Sequence, residues 1–216
     1  MFTKTLTYIG SRTIKFTEDV GRGFTMFGQT LLWSFRPPFN LRNIFQQMEA
    51  IGVNSLPVVV IMAMFTGMVL AIQTYTGFKR FNAESYMGTV VALSITRELG
   101  PVLTGLIVAG RAGAAMAAEL GTMRVTEQID AMITLATNPI KYLVVPRFLA
   151  GFLMLPLLAA IADFVGIVGG YIIAVYVLNV NPVVYIRMSK NYVELNDIYS
   201  GLLKACVFGI IIASVS

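Results

Sequence analysis

Arg97 and Glu98 are adjacent charged residues inside an otherwise apolar stretch, SITRELGPVLTGLIVAG, which runs from Ser94 to Gly110. In a membrane, such charges can bind a lipid head group, relay protons or ions, or join helices as ion pairs. Neighbouring helix positions point about 100° apart, so each side chain needs a separate partner. Pro101 lacks the N–H that would bond to the carbonyl of Arg97, so the helix should bend there and leave that carbonyl free.

The combination of two charges and a kink at one level favours a polar, water-accessible cavity. Each charge inside a membrane costs at least roughly 2.5–3.5 kcal/mol on insertion scales. The alternative is a pair of charges that only holds helices together. Gln73 and Lys204 are further candidates for the same cavity, and Leu70, one turn from Gln73, could contact acyl chains. A lysine that reaches the membrane surface is the other explanation of Lys204.

Few other residues can do chemistry. The chain has no histidine and one cysteine, Cys206, which excludes the commonest general base, an internal disulfide and a thiol metal cluster. It also lacks the G-x-x-x-x-G-K-[ST] motif that cradles nucleotide phosphates. We therefore expect no catalytic residue, no metal and no cofactor in this chain. Its pI of about 9.4 favours anionic lipid over nucleic acid as a partner.

The elements that position these residues have the composition of an integral membrane protein. The 216 residues are 56% hydrophobic and 12% charged, and the mean hydropathy is +0.75. A spanning helix needs about 20 mostly apolar residues. Four stretches are candidates: Ser55 to Tyr75, Tyr86 to Gly110, Leu143 to Leu178, and one that begins near Tyr199.

Two of these stretches have unusual lengths. The third would be roughly 54 Å long as a helix, so it is either one long helix that emerges into water or a helix broken near Gly166, Gly169 and Gly170. The last, counted from Ala205 to Ser216, is too short to span. We therefore expect the natural chain to continue beyond Ser216.

Residues 1–50 have the pattern of helices that lie in the membrane interface. Apolar residues recur at three- and four-residue steps, at Phe2, Leu6, Ile9, Phe16, Val20, Phe24, Phe27 and Leu31. Most of the basic residues lie off this stripe: Lys4, Arg12, Lys15 and Arg22. RPPFN, Arg36 to Asn40, should end the helix, and a second short helix would follow with Leu41, Ile44, Phe45 and Met48 on one face. A helix packed on a soluble domain is the alternative.

Lys and Arg are concentrated in residues 1–50 and between the second and third apolar stretches, which predicts that both segments are cytoplasmic. The second segment begins with small residues at four-residue spacing: Gly105, Ala109, Gly113, Ala117 and Gly121. This seam allows a close helix contact, either within the chain or with a second copy. Beyond it, a short amphipathic helix has an apolar face of Val125, Ile129, Met132 and Ile133. A solvated loop helix would show the same pattern.

The long string TRELGPVLTGLIVAGRAGAAMAAELGTMRVTEQIDAMITLATNPIKYLVVPRFLAG, Thr96 to Gly151, resembles the MlaE/YrbE permease family, and MFTGMVLAIQTY, Met64 to Tyr75, fits it too. Members are the membrane subunits of ABC transporters that move lipids together with MCE-domain proteins. The resemblance implies an all-α integral membrane protein, with interfacial helices in residues 1–50 and a transmembrane permease domain in residues 51–216. About five transmembrane helices are implied, the last incomplete or absent here, with a coupling helix between spans two and three that docks on a cytoplasmic ATPase.

The resemblance also implies partners and a function. A homodimer in the bacterial inner membrane would move phospholipid between that membrane and the MCE protein and so maintain outer-membrane lipid asymmetry. ATP and Mg²⁺ would be bound by the partner ATPase, and a small STAS-type subunit could join the complex. The substrate pathway would be lined by Leu70, Gln73, Arg97, Glu98 and Lys204. The ATPase-coupling residues would be Glu119, Gly121, Met123, Arg124, Glu127, Gln128, Asp130 and Met132.

Two other classes of function remain open from the sequence. One is an ion-coupled secondary transporter in which Arg97, Glu98 and Asp163 relay a proton or another ion. The other is a non-transporting scaffold that anchors a lipid-binding complex in the membrane.

Overall fold

The regular secondary structure of the described residues is helical, which confirms the all-α class. The structure is a computed structural model that describes residues 2–37 and 40–216. Within these ranges the main helices are α1 (Phe2–Ser34), α2 (Leu41–Ile51), α3 (Leu56–Lys79), α4 (Glu84–Val125), α5 (Gln128–Thr134), α6 (Ile140–Val177), α7 (Pro182–Tyr192) and α8 (Leu195–Val215).

Four of the described helices, α3, α4, α6 and α8, are long and apolar enough to cross a membrane. Helix α6 lies at the centre of the bundle, with α2, α3, α4 and α8 packed around it. Many large apolar side chains of α3, α6 and α8 remain exposed, as expected where lipid rather than water surrounds the protein. The protein is therefore a multi-pass integral membrane protein.

The N-terminal helix α1 exposes much of its predicted apolar stripe, including Phe16, Val20 and Phe24. Its contact with α6 includes an edge-to-face pair between Phe27 and Phe148, whose ring centroids are 6.0 Å apart. The side chains of residues 1–9, which carry Phe2, Lys4, Leu6 and Ile9 of the predicted pattern, lie outside the described residues. So do residues 38–39 of the predicted break.

The second short helix, α2, begins at Leu41, where the side chain of Asn40 accepts a hydrogen bond from the backbone N–H of Asn43. Met48 packs on a buried cluster that includes Leu155 and Leu158 of α6, whereas Leu41 and Phe45 are exposed. Helix α2 thus has one face on the bundle and apolar side chains on its outer surface.

Helix α6 is continuous over 38 residues, so the alternative of a break near its glycines is wrong. Gly166 and Gly169 instead permit a close approach to α3. A Cβ on Gly169 would lie 2.5 Å from the carbonyl oxygen of Met64, and a Cβ on Gly67 would overlap the carbonyl oxygen of Gly166. These glycines therefore set the distance between two helices and leave the backbone of α6 intact.

Helix α8 corrects the prediction for the last apolar stretch. It begins at Leu195, not near Tyr199, and its 21 residues are enough to span a membrane. The charged residues Glu194 and Asp197 form a capping box at its N-terminus, in which each side chain accepts a backbone N–H of the other residue. The apolar pattern begins only near Tyr199, after these two charges, and so omits the first turn of the helix.

Helix α4 runs well beyond its apolar stretch, from Glu84 to Val125. It contains two π-helical turns, Ile95–Leu99 and Ala109–Gly113. The first lies at the predicted irregularity, where the N–H of Gly100 bonds to the carbonyl of Ile95. The charged pair thus occupies one wide turn inside a helix that otherwise continues.

The small-residue seam of α4 divides into two parts. A Cβ on Gly105 would lie 3.1 Å from Phe208, and one on Gly113 would lie 2.9 Å from the Ser216 hydroxyl, so this part packs against α8 of the same chain. Ala109 is partly buried against the cluster that includes Leu155 and Leu158 of α6. Ala117 and Gly121 are exposed, and a Cβ on Gly121 would meet nothing within 4 Å.

Candidate functional site

Arg97 binds Asp197, at the start of α8. The Arg97 Nε donates to Asp197 Oδ1 at 2.7 Å, and Nη2 of Arg97 lies 2.6 Å from the same oxygen. The Asp197 side chain is only 6% exposed, and its Oδ2 accepts the backbone N–H of Glu194 at 3.1 Å. One carboxylate thus caps α8 and fixes the guanidinium of α4.

Glu98 has a different partner, as expected from the angle between adjacent helix positions. The Lys204 Nζ donates to Glu98 Oε1 at 2.5 Å. The same Nζ donates to the carbonyl oxygen of Arg97 at 2.9 Å. This is the carbonyl that Pro101 leaves without its usual helical donor, so the lysine replaces the missing backbone N–H.

The two ion pairs require α8 to cross close to the π turn. Asp197, Gly201 and Lys204 lie at helical spacing on one face of α8. A Cβ on Gly201 would overlap the carbonyl oxygen of Thr96. The glycine between the acid and the base therefore brings both side chains within reach of α4. We call Arg97, Glu98, Asp197 and Lys204 the charged group.

The charged group lies on an open surface of the chain. The side chains of Arg97, Glu98 and Lys204 are 53%, 65% and 38% exposed. Lys204 is also the tenth of the 21 residues of α8, close to the middle of that span. Charges at such a depth face protein or a water-filled space, because contact with lipid tails is too costly.

Two residues predicted for the same pathway lie elsewhere on the chain. Leu70 packs on the buried cluster that contains Met87 and Tyr185, and Gln73 is exposed on α3. Within the described residues, no hydrogen bond joins Gln73 to the charged group. The structure thus brings together Arg97, Glu98 and Lys204, but not the two residues of α3.

Asp197 was missed from the sequence, although a signal for it exists. It precedes Lys204 by seven residues, which places both on one face of a helix. The apolar stretch begins near Tyr199 and therefore leaves Asp197 outside the predicted span. An acid and a base seven residues apart, next to a span that carries a base and an acid, would have indicated the pairing.

The predicted coupling segment comprises the end of α4 and the short helix α5. Glu127 separates them in a left-handed conformation, with φ of 58°. Arg124 Nη1 donates to Asp130 Oδ1 at 2.9 Å, which ties α4 to α5. Gly121, Glu127 and Gln128 are exposed, whereas Met123 and Met132 are partly buried. Large apolar side chains are also exposed around this segment: Val125, Ile133 and Leu135.

Glu119 points back towards the bundle. Its Oε2 accepts from Arg147 Nη2, at the start of α6, at 2.7 Å. The Arg147 side chain is 5% exposed, and within the described residues its Nε and Nη1 have no hydrogen-bond partner. Glu119 is therefore the main counter-charge of a buried arginine.

A separate cavity of about 710 Å³ lies between α4, α6, α7 and the start of α8. Its walls are mostly apolar, with Asp163, Tyr185 and Lys190 among the lining residues. Asp163 is buried against Gly100, and its Oδ1 has no hydrogen-bond partner within the described residues. Burial raises the pKa of the Tyr185 phenol above its ordinary value. No described hydrogen bond links Asp163 to Arg97 or Glu98, as a direct ion relay would require.

Comparisons with known proteins agree with this architecture. The profile of the family described as Permease MlaE matches residues 44–216. A probable ABC transporter permease protein of Rickettsia felis is 53% identical over 209 residues, which cover 96% of this chain and 80% of the relative. The intermembrane phospholipid transport system permease protein MlaE of Haemophilus influenzae is 37% identical, over 97% of this chain and 81% of the relative. The chloroplastic protein TRIGALACTOSYLDIACYLGLYCEROL 1 of Arabidopsis thaliana is 40% identical, over 88% and 54%.

Proposed function

Because the chain belongs to the MlaE permease family, we propose that two copies enclose a phospholipid pathway around the charged group. The family makes this chain the non-catalytic membrane subunit of an ABC transporter, which favours ATP-driven transport over an ion-coupled carrier. A phospholipid substrate is supported by the named function of the Haemophilus influenzae relative.

The observation that carries the proposal is the exposure of the charged group at the middle of a span. Arg97, Glu98 and Lys204 would face lipid tails if this chain stood alone in a bilayer. A second copy placed against this surface would enclose them in a polar space. A homodimer would therefore avoid the cost of exposing these charges to lipid tails, which a single chain would bear.

The geometry also suits a phospholipid head group. Asp197 engages Nε and Nη2 of Arg97, whereas Nη1 makes no hydrogen bond within the described part of the chain. The guanidinium is thus held in place with donors left for a phosphate oxygen. Glu98 could bind the amine of an ethanolamine head group if Lys204 releases it.

The remaining partners follow the same proposal. A separate ATPase subunit, which binds ATP and Mg²⁺, would dock on α5 and the end of α4, where Val125, Ile133 and Leu135 are exposed. An MCE-domain lipid-binding protein would exchange phospholipid with the dimer, and a small STAS-type subunit could accompany the ATPase. The complex would lie in a bacterial inner membrane and maintain the lipid asymmetry of the outer membrane.

The test uses the complete complex with Arg97→Ala, Arg97→Lys and Glu98→Ala. We expect Arg97→Ala to reduce copurified phospholipid and Arg97→Lys to restore it only in part, because lysine lacks the planar fork. Glu98→Ala should slow ATP-driven lipid transfer while the dimer and the ATPase still assemble. Copurified phospholipid, complex size and transfer rate are measured for each variant.

Arg187→Ala is the matched control, since Arg187 is an exposed arginine on α7 and has no hydrogen bond or ion pair with the charged group among the described residues. It should leave all three measurements unchanged. Normal lipid retention and normal transfer in both alanine variants would contradict the proposal. Loss of assembly, followed by normal transfer in the complexes that survive, would show that the charges only hold helices together.

A further inference from the structure

Two basic side chains lie over the ring of Trp33, the single tryptophan of the chain. The Arg36 Cζ is 5.8 Å from the ring centroid, and the Lys141 Nζ is 5.1 Å from it. The same Nζ donates to the carbonyl oxygen of Pro37 at 3.4 Å. The end of α1 and the start of α6 thus meet at one aromatic ring with two positive charges.

These two charges have no carboxylate partner among the described residues. The ion pairs there use other basic residues: Arg97, Arg124, Arg147 and Lys204. Two like charges near one ring repel each other, and the ring quadrupole offsets this only in part. An anion between them would therefore bind favourably.

The surroundings of this pair offer both exposed apolar side chains and polar groups. Large apolar side chains are exposed in the adjacent segments of the chain: Leu32, Phe35 and Leu41. A cavity of about 140 Å³ is lined by Trp33 and Lys141, by the polar residues Asn40, Thr137 and Asn138, and by several apolar side chains. Tryptophan is enriched at the level of lipid head groups, where one side of its ring is apolar and the other is wet.

We propose that this surface, the Trp33 site (Trp33, Arg36, Asn40, Asn138 and Lys141), binds the head group of an anionic glycerophospholipid. The phosphate would lie between Arg36 and Lys141, with the amides of the cavity near the glycerol head. The acyl chains would follow Leu32 and Phe35 into the membrane. The bound lipid would thereby link α1 to the start of α6.

This lipid is distinct from the transported one, because the charged group lies in the middle of the spans, away from this interface. The proposal does not depend on the transport function. A structural lipid suits the Trp33 site better than a soluble anion, since the exposed apolar side chains beside it need cover as well. One lipid would fit both features of the surface, because its head group would bind the two cations and its acyl chains would cover the exposed apolar side chains.

The test titrates the detergent-solubilised complex with phosphatidylglycerol or phosphatidylcholine and counts bound lipid by native mass spectrometry. A cation that lies beside the head group of an anionic lipid contributes about fivefold in affinity. We expect Arg36→Gln/Lys141→Gln to weaken phosphatidylglycerol binding by about 25-fold. Phosphatidylcholine binding should change little.

Lys79→Gln is the matched control, because Lys79 also lies over an aromatic ring, with its Nζ 5.4 Å from the centroid of Tyr75. It should leave phosphatidylglycerol binding unchanged. Arg97→Ala should reduce the amount of transported lipid but retain phosphatidylglycerol at the Trp33 site, which separates failure of this proposal from failure of the transport proposal.

Weakening of phosphatidylglycerol binding by about fivefold in Lys79→Gln would overturn the proposal, because it would indicate a general effect of each lost positive charge. Unchanged phosphatidylglycerol binding in the double variant would overturn it as well. Loss of the ATPase subunit from that variant, with lipid binding intact, would assign the surface to the ATPase instead.

Discussion

At the scale of single residues, Asp197 makes more contacts than Glu98, which is the more conspicuous acid in the sequence. It is buried, caps α8 and binds Arg97 through two nitrogen atoms. Glu98, in contrast, is exposed and binds only Lys204. Asp197 is therefore the more buried carboxylate and has more partners, although Glu98 is the one that stands out in the sequence, beside Arg97 in an apolar stretch.

We expect Asp197→Ala to destabilise the protein more than Glu98→Ala does. Loss of the capping-box hydrogen bond from the Glu194 N–H costs up to about 1 kcal/mol, and the half-exposed pair with Arg97 adds less than a buried pair would. Glu98→Ala should cost under about 1 kcal/mol, because an exposed pair is lost and Lys204 keeps the carbonyl of Arg97. Thermal unfolding of both detergent-solubilised variants measures the difference. A larger loss for Glu98→Ala would contradict the ranking.

At the scale of helices, apolar runs were enough to predict α3, α4, α6 and α8, because a span needs a minimum length of apolar chain. The ends of these helices were harder to predict from the sequence. The predicted start near Tyr199 leaves out Glu194 and Asp197, yet these charged residues form a capping box at the first turn of α8.

The pairing between helices could not be predicted from sequence patterns either. Arg97 and Asp197 are 100 positions apart, and Glu98 and Lys204 are 106 apart. Their meeting depends on where α8 crosses α4, which Gly201 and the π turn decide together. The sequence indicated that Arg97 and Glu98 each need a partner and made Lys204 a candidate. The helix register that brings Asp197 to Arg97 depends on packing.

The link between α4 and α6 gives a second prediction. Glu119→Ala should destabilise the protein by several kcal/mol at most, since it leaves the buried Arg147 without its counter-charge, although the exposed half of Glu119 reduces the cost. Glu119→Leu/Arg147→Met should recover most of that loss, because no buried charge remains. Thermal unfolding tests both.

Arg124→Ala is the control for this pair, since its ion pair with Asp130 is exposed on both sides and should contribute under about 1 kcal/mol. If the double variant were as unstable as Glu119→Ala alone, the cost would lie in lost packing around Arg147, and the electrostatic explanation would fail.

At the scale of the whole molecule, the two parts of the small-residue seam have different neighbours. Gly113 packs against Ser216 and Ile212 of the same chain, whereas Ala117 is exposed. We expect Gly113→Leu to lower the yield of folded single chains. Ala117→Leu should leave the chain folded and change only its assembly with a partner.

Size-exclusion chromatography with mass measurement, together with thermal unfolding, distinguishes the two variants. Gly121→Ala is a mild control, because a Cβ there would meet nothing within 4 Å. An unchanged assembly state and activity for Ala117→Leu would show that this part of the seam faces solvent or lipid in the complex.

The two π turns of α4 have a consequence for its azimuthal phase. Each wide turn inserts one residue relative to a regular α-helix and so rotates everything that follows by about 100°. Residues before Ile95, between Gly100 and Val108, and after Gly113 consequently follow three separate helical wheels. The second π turn lies between Gly105 and Gly113 and, by adding one residue, keeps both glycines on the face that contacts α8. A single helix can thereby shift, twice along its length, the face that it presents to its neighbours.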